Sequence, residues 1–393
     1  MVKPPAYDLE KVRADFPAAT SCCYLNTGTL GPSPTVVTDR FLAAYRAWQD
    51  SYPGQPDQYG ATRALMELAR PRVARLIGAQ AGEITLTGNS TDGVNIVAQG
   101  LDYSQRNEVV ITDQEHPAVF VPWLNLAARG LVEVKMLHWH KDPAHTLRGL
   151  RSLLGAKTAL VCLSHVSSMT GMVLPVREVS DLAHEAGALA MYDGAQAAGQ
   201  VPVDVRADGC DLYTLNGHKW LHGTVGTGAL FISRELLPLV RPAAVGSGTA
   251  TSYGYPGSTD MAWREDVTKF EFGTRNWTVY AGWAESLDYL DRLGLDKIRR
   301  HQLELGDYLR GGLESMPGIK VVGADQPELR SGLVAFSVEG HDAAELCASL
   351  WRDHRIATRP AREINAVRAS LAVFTTPGDV DELLRALRTM VRA

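Results

Sequence analysis

The residues best suited to chemistry in this sequence are a carboxylate and a lysine that follow two predicted strands. Asp193 comes directly after a strand predicted over 188–192, and His218 and Lys219 follow one predicted over 211–215. Because ligands of doubly wound sheets bind beyond the carboxyl ends of the strands, we expect these side chains to share one site. A lysine can form a Schiff base with an aldehyde, and a buried carboxylate can keep a pyridine nitrogen protonated. The pair matches the requirements of pyridoxal 5'-phosphate (PLP).

Short apolar runs that alternate with helical patterns must position this pair. Seven runs predict strands, over 83–87, 108–112, 132–138, 158–163, 188–192, 211–215 and 227–233. Several are apolar on both faces, which is typical of parallel strands covered by helices on both sides. We therefore predict an α/β fold whose large domain holds a mainly parallel seven-stranded sheet.

The end of the chain predicts a smaller α+β domain. A long flexible connection is expected over 246–258, followed by a helical stretch over 280–315 and a closing helix over 379–391. Further strands are predicted near 333–338 and 367–374. The predicted division is an N-terminal segment (1–22), a large domain (23–265) and a smaller C-terminal domain (266–393).

Composition narrows the class of protein. The 393 residues are 45% hydrophobic and 21% charged, which indicates a globular chain and excludes collagen-like or disordered classes. A net charge of −5 without a basic run argues against nucleic-acid binding. Apolar stretches are too short to span a membrane, and the five cysteines form no CxxC pair, so a cytoplasmic location is expected. His138 and His140 lack a third ligand at a recognisable spacing, so no metal site is expected.

The segment that begins DGAQ and ends NGHKW resembles the motif of the class V aminotransferase and cysteine desulfurase superfamily of PLP enzymes. That motif is a D-x-A-Q followed some twenty residues later by an H-K, and the resemblance extends from about residue 24 to the final helix. It implies the PLP-dependent transferase fold of the aspartate aminotransferase type. It also implies that Lys219 carries the Schiff base and moves the substrate proton. Asp193 would pair with the pyridine nitrogen, Gln196 would contact the ring hydroxyl, and His218 would contact the phosphate.

Three further segments resemble motifs of the same superfamily. The GNSTDG turn implies that Ser90 and Thr91 hold the phosphate together with N–H groups at a helix start, where the helix dipole favours anions. The EHP segment implies that His116 stacks on the cofactor ring and relays protons. The SHVSS loop implies that Ser168 faces the ring hydroxyl, at a position where relatives often carry asparagine.

The resemblance also implies residues that contact substrate and a second subunit. Thr274 in FEFGT would reach the phosphate of a neighbouring subunit, which implies a homodimer with active sites at the interface. Arg275 would project toward that neighbouring site, with a surface salt bridge as the alternative. Arg368 would bind the substrate α-carboxylate, since guanidinium binds carboxylate bidentately, with Arg359 as a second arm. Thr29, in the start YLNTGTLGPSP, is the remaining predicted substrate contact.

The choice of reaction depends on a missing cysteine. Desulfurases of the superfamily carry a sulfur-accepting cysteine ahead of the arginine strand, whereas residues 359–370 read RPAREINAVRAS, and Cys347 is predicted to be buried. A PLP-dependent C–S β-lyase acting on cysteine, cystine or an S-substituted cysteine is therefore ranked above a persulfide-type desulfurase. The chain also resembles isopenicillin N epimerase-like proteins, so epimerase, aminotransferase or decarboxylating deaminase activity stays open.

Overall fold

The computed structural model describes residues 5–51, 54 and 56–391. The α-helices in these residues are α1 (Leu9–Ala14), α2 (Pro17–Ser21), α3 (Thr35–Ser51), α4 (Gln58–Glu67), α5 (Arg70–Leu76), α6 (Ser90–Gly100), α7 (Pro117–Ala128), α8 (Pro143–Leu153), α9 (Val176–Glu185), α10 (Val279–Leu293), α11 (Leu295–Glu314), α12 (Ala343–His354) and α13 (Pro377–Val391). Short 3-10 turns lie at Ala81–Glu83, Val267–Phe270, Pro327–Leu329 and Arg362–Ile364.

All seven strands predicted for the large sheet belong to one sheet. They are β2 (Ile84–Thr87), β3 (Glu108–Thr112), β4 (Glu133–Leu137), β5 (Thr158–Ser164), β6 (Leu189–Asp193), β7 (Leu212–Asn216) and β8 (Gly228–Ile232). Their order is β2-β8-β7-β6-β5-β3-β4, in which β8 runs antiparallel to both neighbours and the other pairs are parallel. The predicted α/β fold with a mainly parallel sheet is confirmed.

Most strands of this sheet are apolar on both faces because each face has its own core. Val109 and Ile111 pack into one buried cluster, while Val110 between them packs into the other. Alternate residues of a strand point to opposite faces, so a continuous apolar run fills both layers. In register, Ser164 of β5 and Thr214 of β7 lie on either side of Asp193 at the end of β6. This register brings the strand ends together at one edge.

A second sheet lies in the C-terminal part of the chain. It contains β11 (Ile319–Val322), β12 (Leu333–Val338), β14 (Arg359–Ala361) and β15 (Ala366–Ser370), antiparallel in the order β11-β12-β15-β14. Apolar residues of α11, α12 and α13 pack on it in a separate buried cluster. The N-terminal segment joins this part, because β1 (Cys23–Tyr24) pairs with β13 (Ile356–Ala357) and Asn26 bridges to Ser370.

Two segments differ in detail from the sequence expectation. The helical stretch over 280–315 is divided at Gly294, whose φ of 88° lies in the left-handed region that favours glycine. The connection over 246–258 contains strand β9 (Ala250–Tyr253), which forms an antiparallel hairpin with β10 (Met261–Trp263). These strands are short and largely exposed, so they lack the buried apolar run by which the other strands were predicted.

The predicted domain boundaries stay predictions, and residues 1–4 and 392–393 of the outer two segments lie outside the described residues. In the part of the chain that the structure describes, every helix is too short or too polar to cross a membrane.

Candidate active site

A cavity of about 430 Å³ opens at the carboxyl ends of the large sheet. Residues from the ends of β6 and β7, from the segments that follow β3 and β5, from the start of α6 and from β14 and β15 meet there. Its lining residues are Gly28, Thr29, Asn89, Ser90, Thr91, Glu115, His116, Pro117, Ala118, Ser168, Met169, Asp193, Gln196, Asn216, His218, Lys219, Arg359, Pro360, Ala361, Glu363 and Arg368. Eleven of the thirteen predicted site residues line this cavity; the exceptions are Thr274 and Arg275.

Lys219 and Asp193 form the charged centre of the cavity. Burial lowers the pKa of Lys219 to about 8; Asp193 counteracts this effect, while Arg368 and Arg359 add to it. Burial raises the pKa of Asp193, whereas the charge of Lys219 and hydrogen bonds from Ala195 and Ser90 lower it. A lysine with this pKa has a sizeable neutral fraction near pH 8, so its amine can act as nucleophile or base.

The start of α6 lies directly beside this pair. Asn89 caps the helix, since its side-chain oxygen accepts from the Asp92 N–H at 2.9 Å. The Ser90 N–H donates to the Asn216 side chain at the end of β7, at 2.7 Å. The structure thus locks the predicted phosphate turn against the strand that precedes Lys219. Sequence reasoning missed Asn216, although its position as a polar residue at a strand end could have indicated it.

His218 and His116 lie on the cavity wall. Burial, together with the charge of Lys219, lowers the pKa of both imidazoles to about 4. His116 caps α7, because its Nδ1 accepts from the Ala118 N–H at 3.1 Å, so the neutral ring carries its proton on Nε2. The Nδ1 atom of His218 is buried and has no hydrogen-bond partner among the described residues.

Gln196 and Ser168 are held by their neighbours. Gln196 donates from Nε2 to the Gly28 carbonyl at 2.7 Å and accepts at Oε1 from the Trp220 indole at 2.8 Å. Ser168 contributes its backbone carbonyl, which accepts from Nη1 of Arg368 at 2.7 Å. The contacts predicted from Gln196 and Ser168 to a ring hydroxyl stay predictions.

Glu115 is a fully buried carboxyl group at the ends of two neighbouring strands. It accepts from the Thr112 hydroxyl at 2.6 Å and from both the N–H and the hydroxyl of Ser164. Its pKa is raised to about 7, chiefly by burial and to a smaller extent by the charge of Asp193, while the hydrogen bonds oppose the shift. Glu115 thus joins β3 to β5 immediately before His116. The sequence analysis quoted Glu115 in its EHP segment but gave it no role.

Arg368 reaches the cavity from β15. Its Nη1 donates to Ser168, as above, and its Nη2 donates to the Thr29 hydroxyl at 2.7 Å. Burial and the charge of Arg359 lower its pKa to about 10, which leaves it a cation near neutrality. Its Nε is buried without a described partner. Arg359 lies opposite Arg368 on the neighbouring strand and is exposed.

Thr274 and Arg275 line a different cavity, of about 630 Å³. Arg275 donates to the carbonyls of Leu86 and Phe272 at 3.1 and 3.3 Å. Both cavities border the start of α6, since Asn89, Ser90 and Thr91 line the first and Gly88 and Asp92 line the second. The predicted role of Thr274 and Arg275 in a neighbouring subunit stays a prediction.

The cysteines and paired histidines lie elsewhere. Among the described residues that line the active-site cavity there is no cysteine, and Cys347 is buried on α12. His138 contacts Asp113, and His140 accepts from the Asp142 N–H. Within the described ranges, no three His, Cys, Asp or Glu side chains are placed to hold a metal ion.

The chemical groups that line the active-site cavity are of the types that PLP requires. The unpartnered Nδ1 of His218 and the positive end of the α6 dipole suit a phosphate, and the buried Asp193 suits a protonated pyridine nitrogen. Lys219 offers the amine that would bond to the aldehyde. When bound, PLP supplies an electron sink for charge that develops at the substrate Cα.

Comparisons with known proteins agree with this interpretation. A family model described as aminotransferase class-V matches residues 24–383. A probable cysteine desulfurase of Methanothermobacter thermautotrophicus is 33% identical, over 86% of this chain and 84% of the relative. A cysteine desulfurase of Escherichia coli is 32% identical, over 98% of this chain and 99% of the relative. A solved complex of the cystine C–S lyase C-DES with its reaction product cysteine persulfide has a TM-score of 0.88 and 29% identity, over 95% of this chain and 98% of that chain.

Fold and site together define a PLP-dependent lyase. The chain belongs to the aminotransferase class-V family, as its motifs predicted. One expectation needs correction. The sequence analysis ranked a persulfide-type desulfurase below a β-lyase, but both sequence relatives above carry the name cysteine desulfurase. The ranking was wrong because it relied on one missing cysteine in a loop, whereas the similarity to desulfurases covers nearly the whole chain.

Proposed function

We propose that this chain cleaves the Cβ–S bond of cysteine or of a cysteine derivative such as cystine. The observation that carries the proposal is the single cavity in which Lys219, Asp193 and Arg368 meet. The names of the relatives, cysteine desulfurases and a cystine C–S lyase, support cysteine-type substrates.

Each of the three residues has a distinct role in this proposal. Arg368, fixed by Ser168 and Thr29, binds the substrate carboxylate through its remaining donor capacity. Lys219 removes the Cα proton at its Nζ atom, which its lowered pKa permits near neutral pH. Asp193 keeps the pyridine nitrogen of PLP protonated. His116, neutral with its proton on Nε2, lies at the wall where it can exchange a proton with the departing sulfur.

The fate of the sulfur separates two versions of this activity. The desulfurase names favour transfer of sulfur to a protein thiol, with alanine as the second product. The cavity, whose described lining has no cysteine, favours departure of the sulfur on a small molecule. In that case cystine and water give cysteine persulfide, pyruvate and ammonium, because the Cβ–S bond breaks and the S–S bond stays intact.

We also propose that the chain acts as a homodimer. Thr274 and Arg275 lie outside the active-site cavity of their own chain, beside a second cavity partly lined by the exposed apolar residues Val225 and Phe272. A face of this kind is typical of an interface between subunits.

Product analysis tests the proposed function. Purified protein loaded with PLP is given L-cystine or L-cysteine, and pyruvate, alanine and persulfide are measured, with the Lys219→Ala variant as control. We expect cleavage of the Cβ–S bond by the wild-type protein and none by the variant, and pyruvate together with cysteine persulfide from cystine would identify a β-lyase. Alanine together with persulfide on a protein cysteine would identify a desulfurase instead. If neither product forms while the cofactor absorbance still shifts, an epimerase, aminotransferase or decarboxylating deaminase is favoured.

A further inference from the structure

Two opposite charges stand at the outer side of the active-site cavity, beyond the groups that hold the reacting end of a substrate. Arg359 lies directly opposite Arg368 in the antiparallel pair of β14 and β15, so both side chains project from the same face of the sheet. Arg368 is buried and hydrogen-bonded, whereas Arg359 is exposed. Within the described part of the chain, Arg359 makes no side-chain hydrogen bond or ion pair.

The negative partner is Glu363, on the 3-10 turn that follows β14. Glu363 lines the same cavity, is exposed, and makes no side-chain hydrogen bond or ion pair with other described residues, Arg359 included. Its charge acts across the cavity. Burial lowers the pKa of both His116 and Arg368, and Glu363 offsets part of that shift in each.

The charges of an ordinary amino acid do not satisfy this arrangement. Its single carboxylate is matched by Arg368, and its amino group is directed to the cofactor. The exposed cation Arg359 and the exposed anion Glu363 of the cavity lining then remain without a partner. A molecule whose far end carries its own carboxylate and ammonium would satisfy both charges.

We propose that Arg359 and Glu363 recognise the distal carboxylate and distal ammonium of a disulfide formed from two amino acids, as in cystine. The inference rests on the proposed function, because it names the substrate class of that same site. It gives Arg359 a different role from the second α-carboxylate arm predicted from the sequence. Glu363 carried no motif and could not have been selected without the fold.

Three disulfides that share the same reacting end but differ at the distal end test the Arg359 contact and the Glu363 contact separately. They are L-cystine, the mixed disulfide of L-cysteine with 3-mercaptopropionate, which has only a distal carboxylate, and the mixed disulfide with cysteamine, which has only a distal ammonium. We expect Arg359→Gln to raise KM about fivefold for cystine and the mercaptopropionate disulfide, the size typical of a solvent-exposed ion pair, and to leave the cysteamine disulfide unchanged. Glu363→Gln has the converse effect, raising KM for cystine and the cysteamine disulfide. The kcat values stay unchanged.

Arg362→Gln is the matched control, since Arg362 is an exposed arginine on the same turn that does not line the cavity. It should leave all three KM values unchanged. Calorimetric dissociation constants in the Lys219→Ala background provide a readout that does not require turnover. An equal effect of Arg359→Gln on all three disulfides would restore the α-carboxylate role and overturn the inference, as would an unchanged KM for cystine in both variants. If the wild-type protein releases neither pyruvate nor alanine from any disulfide, the proposed function fails, while the calorimetric pattern still decides the inference.

Discussion

At the scale of single residues, the site depends on ionisable groups whose protonation is controlled by burial. The pKa shifts of four cavity groups all favour the uncharged form. The pKa is lowered for Lys219, His116 and His218 and raised for Glu115. Desolvation is the first cause in each, and neighbouring charges adjust the result. Proton transfer is most efficient for groups whose pKa lies near the working pH, as the pKa values of Lys219 and Glu115 do.

The first prediction concerns the pH at which Lys219 becomes reactive. With a pKa of about 8, its neutral fraction increases about tenfold for each pH unit below pH 8 and levels off above it. The rate at which Lys219 of the cofactor-free protein forms a Schiff base with PLP should follow this curve. This rate is measured by the absorbance change on mixing. Nα-acetyl-lysine, as control, should reach its plateau about two pH units higher. Asp193→Asn should move the protein midpoint to lower pH, because the Asp193 charge raises the pKa of Lys219. A midpoint near that of free lysine would contradict this account.

The second prediction concerns Glu115. Its pKa is raised to about 7 in the folded protein, so between about pH 4.5 and 7 the folded state holds a proton that the unfolded state has lost. The free energy of unfolding should therefore fall as pH rises through this window. Glu115→Gln, which cannot ionise, should show a smaller fall in urea unfolding measured across pH 4.5–8. Glu133→Gln, at an exposed position, should keep the wild-type slope. Identical slopes for wild type and Glu115→Gln would show that the carboxyl group does not titrate there.

At the scale of elements, the segment around Thr29 and Gly31 packs closely against the loop that contains His218 and Lys219. The turn that contains Thr29 is followed by Gly31, whose N–H donates to the His218 carbonyl at 2.8 Å. A Cβ atom at Gly31 would lie 1.9 Å from the Lys219 carbonyl oxygen. Only glycine allows this approach, so the turn and the Lys219 loop hold one another in place.

The third prediction follows from that fit. Gly31→Ala should displace the Lys219 backbone, lower the free energy of unfolding by about 1–3 kcal/mol, as overpacking does, and weaken PLP binding. Gly155→Ala is the control, since a Cβ there has no neighbour within 4 Å. Urea unfolding and PLP titration by absorbance measure the two effects. Unchanged PLP affinity in Gly31→Ala would show that this segment does not position the Lys219 loop.

The same elements show how far the sequence could predict the structure. The large sheet was predictable because most of its strands are short apolar runs, and Asp193 and Lys219 were predictable because they follow such runs. The β9–β10 hairpin was missed because its strands are short and exposed. Asn216 and Glu363 were missed because their roles depend on neighbours more than 100 residues away or on the cavity itself.

At the scale of the whole molecule, the proposed homodimer predicts that Arg275 serves the site of the other subunit. Lys219→Ala and Arg275→Ala proteins should each have low activity. Mixing them at equal amounts under subunit exchange should restore about one quarter of wild-type activity, because half of the dimers are mixed and each mixed dimer has one intact site. Activity is measured as product release from cystine, with unmixed variants as controls. No recovery despite demonstrated exchange would mean that Arg275 acts within its own chain.

The bond between Thr29 and Arg368 joins residues 339 positions apart. During synthesis, Lys219, Asp193 and the α6 turn leave the ribosome well before Arg368 does. The parts of the site that suit the cofactor therefore exist on the growing chain before the arginine that suits the substrate. The contact proposed to hold the substrate carboxylate can therefore form only after the last strand of the second sheet has been synthesised.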